Sequence, residues 1–164
     1  QITAALRGGP PASNQVVAGA IPLPPETKVA VLTSVAADAA AELPVAIADE
    51  HFLSAVQNVG NLEVIGKTDI DAMLSFEKQR DLLGCDDVLC VAEIGGALGV
   101  EYLLECRVGK LGTEWSLAAK LINMKKSKVE SRISDIVNGR AGDVLKSMPE
   151  LIRKILVVTN PTGL

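Results

Sequence analysis

The sequence predicts an α/β (α+β) domain. A mixed sheet of about five strands, ending in an antiparallel meander, is packed by about four helices in the order β-α-β-α-α-β-β-β-α. Three observations carry this. Two short β-branched runs are each followed by helical periodicity. Period-two alternation then recurs three times between residues 101 and 137. A long amphipathic stretch closes the chain. The length of 164 residues suits one domain and can bury a real core. Hydrophobic residues make up 48% and aromatics only 2%, so the core must be Val, Leu, Ile and Ala.

Residues 1–27 hold Pro10, Pro11, Pro22, Pro24 and Pro25 with no regular period, and read as a semi-rigid linker. The domain is expected over 28–158. Lys28 to Thr33 (KVAVLT) is a buried strand. Ala36 to Ala41 is a loop or helix start. Pro44 opens a helix to about Val59, with Ala48, Phe52, Ala55, Val56 and Val59 at helical spacing and Gly60 as its stop. Asn61 to Ile65 is the second strand. Thr68 is expected to cap the next helix, with Asp71 completing a weak capping box. That helix runs to about Arg80, and another spans about Asp87 to Leu98, stopped by Gly99.

In the meander, Tyr102, Leu104, Cys106 and Val108 share one face. Trp115, Leu117, Ala119 and Leu121 alternate with Glu114, Ser116, Ala118 and Lys120. Val129, Ile133 and Val137 alternate with polar neighbours. One buried face and one wetter face is the antiparallel pattern. The last helix is expected over Arg140 to Val157, with Pro149 kinking or restarting it, and 159–164 form a tail.

Charge and composition exclude some functions. The net charge is -4 and the pI about 5.0. An acidic, aromatic-poor chain is a poor nucleic-acid binder. No apolar run of about 18 residues is present to span a membrane. The start at Gln1 rather than Met suggests a processed or trimmed product whose signal or anchor has gone.

The candidate chemistry centres on cysteine. Cys85 and Cys90 flank a helix start in GCDDVLC. Within one helix such a spacing cannot meet disulfide geometry, so Cys85 belongs in the loop and Cys90 in the first turn, where a bridge can form. That clasp would contribute about 2 kcal/mol and imply an oxidising compartment. Two reduced, unrelated thiols are the alternative reading. A metal site is a third, requiring Cys106 and His51 as further ligands, though neither has ligand spacing. Cys106 is read as a buried free thiol. His51, the only histidine, is read as a partly exposed helix residue; a Cys–His nucleophile would have to use it.

Gly66-Lys67-Thr68 resembles the end of a phosphate loop, but Asn61 stands where the first glycine belongs, so a strand-to-helix turn is favoured. Gly95 and Gly96 are read as close packing of a helix on the sheet. Asn160-Pro161-Thr162 is no glycosylation site, because proline occupies its middle. Glu42, Asp49, Glu50, Asp69, Asp71, Asp86 and Asp87 form no paired-carboxylate constellation. No catalytic residue, metal or cofactor is assigned.

The strings KVAVLT, LEVIGKTDIDAML and AEIGGALGVEYLLECRVGKLGTEWSLAAKLINMKKSKV together resemble the TolB amino-terminal-domain-like modules of bacterial envelopes. That group includes the curli secretion lipoprotein CsgG and the penicillin-binding-protein activator LpoB. The likeness covers roughly residues 28 to 157. It departs where VLTS replaces a proline and aromatic, where Cys106 replaces a common glycine, and in the Cys85 and Cys90 pair, which looks like a myxobacterial-type variant. The long transmembrane hairpins of the curli channel are missing. The resemblance implies a non-enzymatic interaction or assembly domain, periplasmic and tethered at its N-terminus to the outer membrane. It would bind another envelope protein or its own copies through the wetter sheet face, helix surfaces and loops. Ring assembly and activation of a peptidoglycan synthase are both compatible with it. The competing expectation is a thiol-dependent enzyme or small-molecule binder using Cys85, Cys90 or Cys106, and a third is a cytosolic scaffold.

Overall fold

A computed structural model of the chain describes residues 19–73, 95, 96 and 98–159. In order these form β1 (Ile21–Leu23), β2 (Lys28–Val35), α1 (Ala37–Ala40), α2 (Val45–Gln57), β3 (Glu63–Ile65) and α3 (Lys67–Met73). Then come β4 (Tyr102–Leu111), β5 (Glu114–Asn123), β6 (Lys128–Asn138), α4 (Ala141–Ile155) and β7 (Leu156–Val158). Five strands make a mixed sheet in the order β3-β2-β4-β5-β6. β2 runs parallel to β3 and β4, and β4, β5 and β6 are antiparallel. The mixed α/β expectation therefore holds, with the meander as its C-terminal half.

One face of the sheet carries the main core. Val29 and Val31 of β2, Leu104, Cys106 and Val108 of β4, and Trp115, Leu117, Ala119 and Leu121 of β5 are all buried there. α2 contributes Ala48, Phe52, Ala55 and Val56, at the spacing the sequence predicts. α4 contributes Val144, Met148, Leu151, Ile152 and Ile155. A second, smaller cluster lies on the opposite face, at one end: Ala30, Ile70, Leu98, Val100, Leu103, Ile122 and Met124.

Several boundaries differ from expectation, each for a physical reason. Ile21–Leu23, assigned to the linker, is a strand that pairs in parallel with β7. Leu23 is fully buried in the main core, and its carbonyl accepts a hydrogen bond from the Thr159 amide at 2.8 Å. α4 accordingly stops at Ile155, and Leu156 is already extended (φ -145, ψ 156). Pro149 lies inside α4 without restarting it. Its missing amide removes one backbone bond, and buried Met148, Leu151 and Ile152 hold the helix on both sides.

α2 ends at Gln57, before Gly60. Gly60 is needed instead for close approach, because a Cβ there would lie 2.7 Å from Val158 Cβ. Thr68 is not the cap of α3, which begins at Lys67. The carboxylate of Asp69 reaches back to accept the Gly66 amide at 2.9 Å, satisfying one orphan donor of the first turn. β3 starts at Glu63 rather than Asn61.

The third alternation also breaks. Leu121 pairs with Ser131 but Ile122 pairs with Val129, so Glu130 is an extra residue, a β-bulge. With a side-chain period of two, one extra residue reverses the facing. Ile133 and Val137 pack on the main core, whereas Val129 packs on the second cluster.

Candidate functional site

Among the described residues, the second cluster covers one end of its face. Beyond it, pairing aligns polar side chains in rows across β4, β5 and β6. Glu105 stands opposite Lys120, and Lys120 opposite Arg132. One step along, Arg107 stands opposite Ala118, and Ala118 opposite Ser134. Gly109, Ser116 and Ile136 form the next row. These residues share a face because each is displaced by an even number along its strand. Arg107, Arg132, Ser134 and Ile136 are exposed, Ile136 to 53%. The result is a shallow trough of about 520 Å³, floored by Ala118 and lined by Glu105, Arg107, Lys120, Arg132 and Ser134.

The trough is cationic on an acidic chain. Glu105 Oε1 lies 2.7 Å from Lys120 Nζ, with both side chains about a quarter exposed (23% and 28%). That buried oxygen has no other polar partner among the described residues. Arg107 and Arg132 have no acidic partner among the described residues. Three cations thus face one carboxylate. Lys120 and Arg132 are also directly opposed on neighbouring strands, an arrangement of like charges that weakens a sheet.

The residues singled out by the sequence do not converge here. Cys85 and Cys90 lie outside the described residues, as do Asp86 and Asp87. Cys106 is a free, buried thiol on the core face. Burial, reinforced by the negative charges of Asp49 and Glu105, pushes its pKa far above the ordinary thiol range. It therefore stays protonated and unreactive, since the thiolate is the nucleophile and the ligand. His51 is exposed on α2 and its Nδ1 lies 3.0 Å from the Ile47 carbonyl. Among the described residues no three His, Cys, Asp or Glu side chains are grouped to hold a metal.

The Gly66-Lys67-Thr68 segment is a strand-to-helix turn, as favoured. Its Gly66 amide serves Asp69, and Lys67 Nζ pairs with Asp71 at 2.7 Å. Other carboxylates are engaged singly: Glu42 with Lys110 at 3.0 Å and Asp49 with the Thr33 hydroxyl at 2.8 Å. Of the two helix glycines, Gly95 packs closely, since a Cβ there would meet Met124 at 2.8 Å. Gly96 faces open space. Gly99 ends that turn with φ +72, as a C-terminal stop requires.

Arg107, Lys120 and Arg132 escape sequence reasoning. Alternation puts each on the wetter side of its own strand, but only the register brings them together.

The C-terminal domain of LpoB from Salmonella enterica superimposes on this architecture with a TM-score of 0.54. Sequence identity is 14%, covering 71% of this chain and 86% of that one. The fold here is LpoB-like. A PelC dodecamer from Paraburkholderia phytofirmans is also similar, with TM-score 0.56 and 14% identity over 84% of this chain and 94% of its own. A PelC variant dodecamer from the same organism gives 0.52 at 18% identity, over 83% and 89%. No protein-family model matches the chain, and no curated protein sequence does. At these identities the LpoB-like likeness concerns the fold. No helix among the described residues is long and apolar enough to cross a membrane.

Proposed function

We propose that this chain is a non-enzymatic interaction or assembly domain of a bacterial envelope complex. It works in the periplasm, tethered to the outer membrane through the segment before β1. It binds another envelope protein or further copies of itself. The observation that carries this reading is an LpoB-like fold whose sheet leaves a charged trough facing solvent. LpoB-like and PelC structures lend support, the latter being dodecamers. Kinship with the curli secretion lipoprotein group, and a Cys85 and Cys90 clasp suited to an oxidising compartment, belong to the same proposal.

The competing thiol-enzyme reading loses one of its three cysteines, because the Cys106 thiol is buried and held protonated. Fractionation of the source cells, with thiol titration of the native protein before and after reduction, tests the proposal. Envelope localisation, with two thiols appearing only on reduction, supports it. A cytosolic protein carrying a reactive low-pKa thiol overturns it in favour of the alternative.

A further inference from the structure

We infer that the trough on the open face of β4, β5 and β6 recognises an acidic segment of a partner protein, with Arg107 and Arg132 as its carboxylate-binding residues. This rests on the interaction-domain reading and names the chemistry of its partner.

The charge arrangement points to an anion. Across the first row, Glu105, Lys120 and Arg132 stand in register, and Glu105 is committed to Lys120 at 2.7 Å. Arg132 is left beside a like charge with no carboxylate of its own among the described residues. Arg107, diagonally across the trough and opposite Ala118, likewise has no carboxylate of its own among the described residues. Among the described lining residues, three cations and one anion leave a net +2, on a chain whose overall charge is -4. Opposed like charges destabilise neighbouring strands, and a bound carboxylate removes that penalty.

Spacing and lining favour a peptide. Arg107 and Arg132 are two strands apart and one side-chain repeat out of step. Their Cα atoms are therefore roughly 12 Å apart. Both guanidinium groups can close on one carboxylate from opposite sides, or each can take its own from neighbouring residues of a segment crossing Ala118. Guanidinium groups suit this role because they bind carboxylates in bidentate fashion. Between them Ala118 and Ser134 provide a low floor, and Ile136 offers 53%-exposed apolar surface at the next row. Among the described residues the lining contains no aromatic ring, so they give a base no plane to stack on. An apolar contact beside paired arginines suits mixed acidic and apolar side chains.

The test uses the full chain and a fluorescein-labelled decapeptide alternating glutamate with serine, followed by anisotropy at low salt. A glutamine-for-glutamate peptide is the control, and vesicles with and without phosphatidylglycerol form a second arm. The glutamate peptide should bind and the glutamine peptide should not. Arg107→Ala and Arg132→Ala should each weaken binding about two- to fivefold, as expected for exposed charge pairs. The double charge reversal R107E/R132E should abolish it. Arg153→Ala, on the exposed side of α4, should leave affinity unchanged. Both trough arginines are exposed, and circular dichroism of each variant separates lost binding from lost fold. Equal binding of both peptides, or indifference to both arginines, overturns the inference. So does arginine-dependent binding to the anionic vesicles without binding to the peptide, which would assign the trough to a membrane surface. Failure here combined with envelope localisation refutes the acidic partner alone and leaves the interaction domain standing.

Discussion

Leu23→Ala tests whether β1 belongs to the folded domain. Leu23 has no exposed surface and sits in the main core with Phe52, Ile152 and Leu156. Its truncation removes roughly three carbons, worth about 2.4 kcal/mol at about 0.8 per buried carbon. The cavity left behind adds to this, giving a total of about 3–4 kcal/mol, within the range for buried leucines. In a domain of this size each kcal/mol lowers Tm by about 2–4 °C, so a fall of about 6–16 °C is expected. Urea unfolding followed by far-ultraviolet circular dichroism gives the free energy, and the slope with urea should stay constant. Ile21→Ala, at the half-buried start of the same strand, should cost about 1 kcal/mol. If 21–23 were linker, Leu23→Ala would fall within about 0.5 kcal/mol of wild type, as ordinary surface changes do, and the β1–β7 pairing would be refuted.

Other predictions follow the same packing. Gly60→Ala places a Cβ 2.7 Å from Val158 Cβ and should cost about 1–3 kcal/mol. Adding Val158→Ala should recover much of that in a double-mutant cycle, and an additive double mutant would contradict the close approach. Gly139→Ala forces a side chain onto φ +122 and against the Asp143 carboxylate, which accepts the Arg140 amide at 2.8 Å. A loss of about 1–3 kcal/mol, with faster hydrogen exchange in the first turn of α4, is expected. Cys106 should resist thiol reagents until the protein unfolds. Its pKa is raised in the folded state, so above about pH 8.5 the unfolded chain sheds a proton that the folded chain keeps. Stability from this group therefore falls as pH rises, by about 1.4 kcal/mol per pH unit. The stability gap between wild type and Cys106→Ala should shift against the wild type by roughly 1.5–2 kcal/mol from pH 8.5 to 10, the slope reaching its limit only above the unfolded pKa. A gap independent of pH would show that the thiol is not buried.

Much of the fold is legible in the chain because period-two alternation and helical spacing are local. Trp115, Leu117, Ala119 and Leu121 announce their face by alternation alone, and Phe52 with Ala55 and Val56 announces α2. β1 and β7 are not legible, because three residues are too few to show a period and Pro22 and Pro24 argue for a linker. Their pairing depends on groups 136 positions apart in sequence, such as Thr159 and Leu23. The Glu130 bulge is equally silent, since it exists only relative to β5. The wetter face of the sheet was readable as a surface. That Arg107 and Arg132 flank Ala118 was not, because register is a property of paired strands.

Site-specific photocrosslinking in the source cells tests the central claim most directly. A benzophenone side chain placed at Ser134, in the trough, is compared with one at exposed Glu50 on α2. The account predicts an adduct to one envelope protein, or to a second copy of the chain, from position 134 and none from 50. It also predicts that the adduct disappears when Arg107 and Arg132 are both replaced by glutamate. Adducts from position 50 alone, with the trough silent, would contradict the account.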